Sequence, residues 1–277
     1  SHPFTFHATL KGEQKTPVEI RVFLWSLEQP QRADTMKTIL MDIMSLSRVE
    51  HPNCARYYGL FCPDSLTPPE NLCVVSEQYG IPLSYMLYRS PKQLTVKEKV
   101  QIAYDVALGI QHLHSINAFH LNLSTDAVQV FREDNGVMKA KVTNYGLSKW
   151  IQKGFVADFR QPVYQSPELL KSKGKTGGTQ KSDVFAFSMF LWELWHHKRP
   201  YVSEEIYYRN RKELFRLIQD TGLRPALTVI DNTSESSHNA LTKRLQTLMH
   251  KCWQHDSTLR PDFKFICIAL KDMLDSL

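Results

Sequence analysis

The stretch from His120 to Trp150 carries the residues best spaced to do chemistry. It reads HLNLSTDAVQV, then FREDNGVMKA, then KVTNYGLSKW. Two apolar, strand-like pieces flank a sharp loop. Among its residues are His120, Asn122, Ala127 and Asn144. None of these is a carboxylate; Asn144 is neutral, and the Ala127 methyl cannot coordinate a cation. The adjacent pair His196-His197 invites a metal reading, but no ligand cluster surrounds it, and no metal is expected.

The elements that must position this stretch fit within 277 residues, enough for one two-lobed domain with a sizeable core. Hydrophobic residues make up 42%, ordinary for a globular protein. No apolar run approaches the roughly 20 residues that span a bilayer, and the start shows no apolar signal segment. The five cysteines (Cys54, Cys62, Cys73, Cys252, Cys267) form no C-x-x-C pair, which predicts reduced thiols and a cytoplasmic location. The net charge of +6 reads as a mildly basic surface. No block of like charge is long enough to predict a nucleic-acid or membrane partner.

In chain order, residues 4–25 read as short strands around a Gly-containing turn. Residues 31–49 place Met36, Ile39, Leu40, Ile43 and Leu46 on one helical stripe that stops at His51-Pro52-Asn53. Residues 54–62 and 71–78 read as strands around a Pro-rich loop, followed by a short helix near 84–87. Residues 95–117 form an amphipathic helix with Thr95 as its N-cap. Residues 181–195 are apolar nearly all round, so that helix is buried. Charged helix 203–218 and closing helices 239–254 and 262–275 complete the chain.

With His120-Leu121-Asn122, Asn144-Tyr145-Gly146, Ser166-Pro167-Glu168 and the Cys252-Trp253 to Arg260-Pro261 run falling in this order, the chain resembles the protein kinase family. The resemblance implies an α+β, bilobal fold: a β-rich N-lobe with its helix C over about 1–78, a hinge near 77–82, and a helical C-lobe over about 83–277, all one domain. His120-Leu121-Asn122 stands where the family has H-R-D, Asn144-Tyr145-Gly146 where it has D-F-G, and Ser166-Pro167-Glu168 where it has A-P-E. Val18-Glu19-Ile20-Arg21 occupies the place of V-A-I-K, and counting back from Pro52 puts the helix-C glutamate on Asp42. Cys252-Trp253, Asp256 and Arg260-Pro261 match C-W-x-x-D-x-x-x-R-P.

The resemblance also marks departures. Arg21 replaces the phosphate-gripping lysine, Asn122 the base, and Ala127 and Asn144 the two magnesium ligands. There is no glycine before Gly12 where the family has its phosphate-covering loop. A vestigial cleft would be lined by Glu19, Ser76 as gatekeeper, Glu77, Gln129, Tyr145 and Gly146. Glu19 above and Gln129 below would make it polar on both faces, unlike a purine slot. Structural roles are implied for His120 with Tyr145 and Leu46 in the internal spine, for Asp183 beneath the loop, and for an Arg260–Glu168 ion pair. Between Ser148 and Ser166 the only hydroxyl is Tyr164, so phosphorylation at serine or threonine is not expected there.

The run DVFAFSMFLWEL resembles the tyrosine-kinase-like branch. TPPEN and PVEIRVF are similar to the mixed lineage kinase domain-like pseudokinases. On the departures at Arg21, Asn122, Ala127 and Asn144, the expectation is a catalytically dead pseudokinase domain, not an enzyme and without cofactor, acting as an allosteric or scaffolding module on a protein partner. An active kinase or neighbouring domains of the same chain are the partners implied. The alternatives are a residual or atypical nucleotide-dependent transferase and a metal-independent nucleotide sensor.

Overall fold

The computed structural model describes residues 5–11, 15–24, 46–61, 71–146, 162–172, 177–204, 206, 209–227 and 237–277. The expected helix C with Asp42, the turn at Gly12, the Pro-rich loop and most of the activation segment lie outside them, as do Tyr207 and Tyr208.

β1 (Thr5–Leu10), β2 (Thr16–Leu24), β3 (Tyr57–Phe61) and β4 (Asn71–Glu77) form an antiparallel sheet in the order β1-β2-β4-β3. β2 is central, with Glu19 opposite Ser76 and Arg21 opposite Val74. Residues two apart in a strand share a face, so this register sets Glu19 and Arg21 side by side. The chain then crosses through β5 (Ile81–Pro82) into α1 (Leu83–Tyr88).

α2 (Val96–Ser115) starts at a full capping box. Thr95 Oγ1 accepts from the Glu98 amide at 3.2 Å, and Glu98 Oε2 accepts from the Thr95 amide at 2.8 Å. Its buried stripe, including Val106, Ile110 and Leu113, faces the main core. β6 (Val128–Arg132) and β7 (Met138–Val142) join β5 in a second antiparallel sheet ordered β5-β6-β7. Asn53 ties the two regions. Its Nδ2 donates to the Ala140 carbonyl at 3.0 Å, and its carbonyl accepts from the Val142 amide at 2.9 Å.

Past α3 (Pro167–Ser172), α4 (Gln180–His196) is buried continuously from Ser182 to Leu194. That burial is why its sequence lacks a polar face. α5 (Arg211–Asp220), α6 (Ser237–Cys252) and α7 (Phe263–Asp275) follow. The fold is thus a sheet-rich N-lobe on a helical C-lobe, in agreement with the class expected.

One expected element differs. The sequence pattern predicts a single helix over 203–218, but Asn210 is extended at φ −154° and caps a new helix, its side chain accepting from the Glu213 amide at 3.1 Å. An asparagine side chain satisfies amides that a continuing helix would bond to its own carbonyls.

Candidate functional site: the cleft between the lobes

The register of β2 directs both Glu19 and Arg21 into the cleft, where both are buried. The Arg21 guanidinium pairs with the Glu19 carboxylate. Glu19 Oε2 also accepts from Gln129 Nε2 at 2.9 Å, and Gln129 Oε1 accepts from the Tyr79 amide at 3.1 Å. A polar chain therefore runs from β2, across the cleft, to β6 and the segment joining the lobes. Glu19 does not point to solvent. Its desolvation is offset by a charged partner and an amide donor. Among the described residues, Arg21 Nε and Nη1 find no acceptor. The cleft beside them has a volume of about 740 Å³, with Gly80, Tyr85, Asp126 and Arg199 also on its walls.

Ser76 is buried beside Glu19 in the β2–β4 register. Glu77 is held away from the cleft: Oε1 accepts from Lys141 Nζ at 2.7 Å and Oε2 from the Arg56 amide at 3.1 Å.

Below the sheet, Asp183 near the start of α4 holds the loop at His120–Asn122. Its Oδ2 accepts from the His120 amide and from His114 Nε2, both at 2.9 Å, and its Oδ1 from the Leu121 amide at 2.6 Å. Leu121 sits at φ 56°, a strained value for a branched apolar residue, and the bond to Asp183 helps keep it there. The Asn122 amide donates to His120 Nδ1 at 3.3 Å. Burial keeps His120 below its ordinary pKa, so it is neutral near pH 7.

Ala127 is buried, and its carbonyl accepts from the Thr143 amide at 2.8 Å. Asn144 is buried at φ 63°, a conformation asparagine tolerates, and its Nδ2 has no partner among the described residues. Tyr145 is fully buried, donating to the Ala55 carbonyl at 2.6 Å, while Tyr57 donates to the Tyr145 carbonyl at 3.0 Å. Gly146 lies at φ 77°, and a Cβ there would come within 2.2 Å of Leu46 Cδ1. The left-handed backbone favours glycine there, and a Cβ would force the Leu46 side chain to shift.

Glu193 on α4 was missed by sequence reasoning, because its run looks uniformly apolar. It is fully buried, accepting hydrogen bonds from Tyr88 and Tyr164 Oη, from Thr125 Oγ1 at 2.9 Å, and facing Arg199 Nη1 at 3.2 Å. Burial pushes its pKa up to about 7, partly opposed by Arg199 and these hydroxyls. An acid whose folded pKa lies above its ordinary 4.5 binds its proton more tightly when folded, so its contribution to stability falls as pH rises from about 4.5 to about 7. Glu193→Gln should therefore lose ground to wild type at pH 5 and gain on it at pH 8. Denaturant titrations at both pH values measure this. Asp105, also raised by burial to about 6, is common to both proteins and cancels.

Together, a sheet-rich lobe, a helical lobe and a cleft between them define a protein kinase fold. Residues 5–270 match the family described as protein tyrosine and serine/threonine kinase, and the chain belongs to that family. It is 27% identical over 238 residues to the dual specificity protein kinase shkB of Dictyostelium discoideum, covering 83% of this chain and 33% of the relative. Against the serine/threonine-protein kinase STY46 of Arabidopsis thaliana it is 27% identical over 250 residues, 88% and 39% of the respective lengths. A probable LIM domain-containing serine/threonine-protein kinase of D. discoideum is 31% identical over 238 residues, 85% of this chain and 32% of its own. The chain spans about a third of the length of these curated relatives.

These findings correct one expectation. The chain was expected not to be an enzyme; its relatives are named serine/threonine and dual-specificity protein kinases, which points to a kinase enzyme instead. The substitutions at Arg21, Asn122, Ala127 and Asn144 were overweighted against the family as a whole. The residues themselves still do not fit a magnesium nucleotide held in the family's usual manner. Ala127 offers a methyl and Asn144 an amide where two metal-holding oxygen groups would stand. Among the described residues no group of three or more His, Cys, Asp or Glu could hold a metal. No helix among them is long and apolar enough to cross a membrane.

Proposed function

We propose that this domain is a signalling member of the kinase family that acts on a protein partner by docking and allostery, with the Glu19–Gln129 bridge as the latch between its lobes. The carrying observation is the bridge itself: a buried carboxylate of the upper sheet bonded to an amide of the lower lobe, next to the lobe junction at Tyr79. A partner or ligand that alters the lobe angle must strain or break these bonds, so the bridge couples the cleft to the angle between the lobes. The likeness of PVEIRVF to the mixed lineage kinase domain-like pseudokinases, within the tyrosine-kinase-like branch, supports signalling by contact. The cytoplasm is the proposed compartment, where buried free thiols such as Cys54 and Cys252 stay reduced. Docking of this kind is compatible with catalysis by the same domain.

A second reading, nucleotide-dependent phosphotransfer with an altered residue set, is favoured by the names of the relatives.

Glu19→Gln tests the latch. It turns the charge-assisted bond from Gln129 into a weaker neutral one and leaves the buried Arg21 cation without its counter-ion. The variant should be less stable by about 1–3 kcal/mol. It should also gain more thermal stability from ATP without metal than wild type does, because the phosphates then meet Arg21 with no carboxylate beside it. Partners co-precipitated by wild type should change in yield with the variant. Identical ATP responses and identical partner recovery in both proteins would remove the latch and the docking reading with it. Stabilisation of wild type only when magnesium or manganese is added, together with transfer of labelled phosphate, would establish the second reading.

A further inference from the structure

At the closing end of the chain, away from the cleft residues, α6 and α7 enclose a groove of about 500 Å³. Its floor is Leu248 and Met273, both buried. One wall is α7, where Phe265 and Ile268 are 41% and 56% exposed and Ala269 lies alongside. These positions follow the i, i+3, i+4 spacing of a single helix face. The other wall is α6, which sets Lys243, Arg244 and Lys251 along the rim, all exposed. Lys251 Nζ stands 4.8 Å from the centre of the Phe265 ring, and Arg244 Nη1 reaches Ser276 Oγ at 3.2 Å. Against these three cations the lining has one acid, Asp272.

We infer that this groove is the docking site for an acidic amphipathic helix of a partner protein. The surface gives the docking reading above a place on the molecule, and rests on it. An apolar trough between two helices with a basic rim suits a helix whose apolar side chains fill the trough while its acidic ones meet the rim. From Ala240 to Lys251 the rim runs about 17 Å at the rise of a helix, which matches about three turns of an occupant.

The observations disfavour other occupants. The whole chain carries +6, and this face is basic, so a second copy would bring like charge against it. The strongly amphipathic α5 has its apolar Leu214 and Ile218 buried against its own core, so it has no free face to offer. A bilayer would touch the rim and Ile268 but not Leu248 or Met273 on the floor, and Asp272 would face its anionic headgroups.

The experiment uses fluorescence anisotropy on the whole chain. The probe is a labelled helical peptide of about 14 residues with leucines at i, i+4, i+7 and i+11 and glutamates between them. Ile268→Glu should weaken binding about tenfold or more by filling the trough with a carboxylate. The pair Lys243→Glu and Arg244→Glu should do the same and flatten the salt dependence. Ile268 is mostly exposed, so an unchanged far-UV spectrum and thermal midpoint show that the variant is folded, and Ile268→Ala gives a milder loss of the same sign. A probe with lysines in place of the glutamates should not bind.

Equal binding of acidic and basic probes, or equal binding by wild type and Ile268→Glu, overturns the inference. So does binding to phosphatidylserine vesicles with none to the peptide. If wild type still co-precipitates partners whose yield responds to Glu19→Gln while the probe fails here, the groove falls and the docking reading stands.

Discussion

Replacing Glu168 by Ala is expected to reduce the unfolding free energy by about 3 kcal/mol or more, toward the 3–5 kcal/mol typical of a broken buried ion pair. Arg260 is only 2% exposed, yet its guanidinium is saturated. Nη1 and Nη2 donate to Glu168 Oε1 and Oε2 at 2.8 and 2.9 Å in a two-pronged pair. Nε donates to the Gln254 carbonyl at 2.8 Å, and the remaining protons reach the Lys181 and His255 carbonyls at 2.9 and 3.2 Å. The cation also lies 5.2 Å from the centre of the Phe185 ring. Removing Glu168 strands a full charge in this setting. The carboxylate end is 38% exposed, so water can replace part of the loss, which places the figure at the lower end of the range.

Arg260→Lys should also be costly, since an ammonium cannot reproduce the fork or reach all of these acceptors. Arg260 joins Glu168 in α3 to the Gln254 and His255 carbonyls that precede α7, so hydrogen exchange should quicken at both places. Chemical denaturation of Glu168→Ala, Arg260→Lys and wild type checks the magnitude. A loss below about 1 kcal/mol for both variants would show the pair to be energetically idle.

Asp183→Ala should be comparably damaging. It takes the Asp183 carboxylate away from the buried His120 amide, the half-buried Leu121 amide and the ring of His114. Each buried donor left unsatisfied costs about 1–3 kcal/mol. Leu121 at φ 56° then has nothing to hold it there, so the loop should relax toward an ordinary backbone conformation. Asp183→Asn keeps one acceptor oxygen and should fall between Ala and wild type. Amide exchange at His120 and Leu121, read against amides in α2, separates local release from global unfolding. Unchanged protection at both amides in Asp183→Ala would mean that the loop is held by other contacts.

Several parts of this molecule were legible because their causes are local. The N-cap at Thr95 acts within a single turn, and the structure starts α2 there. The apolar run of α4 announces burial because no face of it is polar. The resemblance of the motifs, in their order and spacing, to the kinase family carried the fold class, since that spacing survives changes in individual functional residues. The same locality misled in two places. Asn210 reads as one polar residue within a charged helix, but its side chain competes for an amide and starts a new helix. Four substituted cleft positions were read as the absence of an enzyme, whereas similarity to named kinases extends over most of the chain.

The class of fold came from the resemblance of the motifs to the kinase family, while residue type, periodicity and capping were enough to set the burial of α4, the start of α2 and the side chains available to the cleft. Each of these causes acts over a few neighbouring residues. Which of those side chains meet was settled by the packed fold alone. Glu19 and Gln129 are 110 positions apart, and their bond exists because the β2–β4 register and the approach of β6 across the cleft bring them within 2.9 Å. The same holds for Glu193 among Tyr88, Thr125, Tyr164 and Arg199, and for the groove between α6 and α7. Long-range packing sets such meetings, and no pattern along a single segment encodes them.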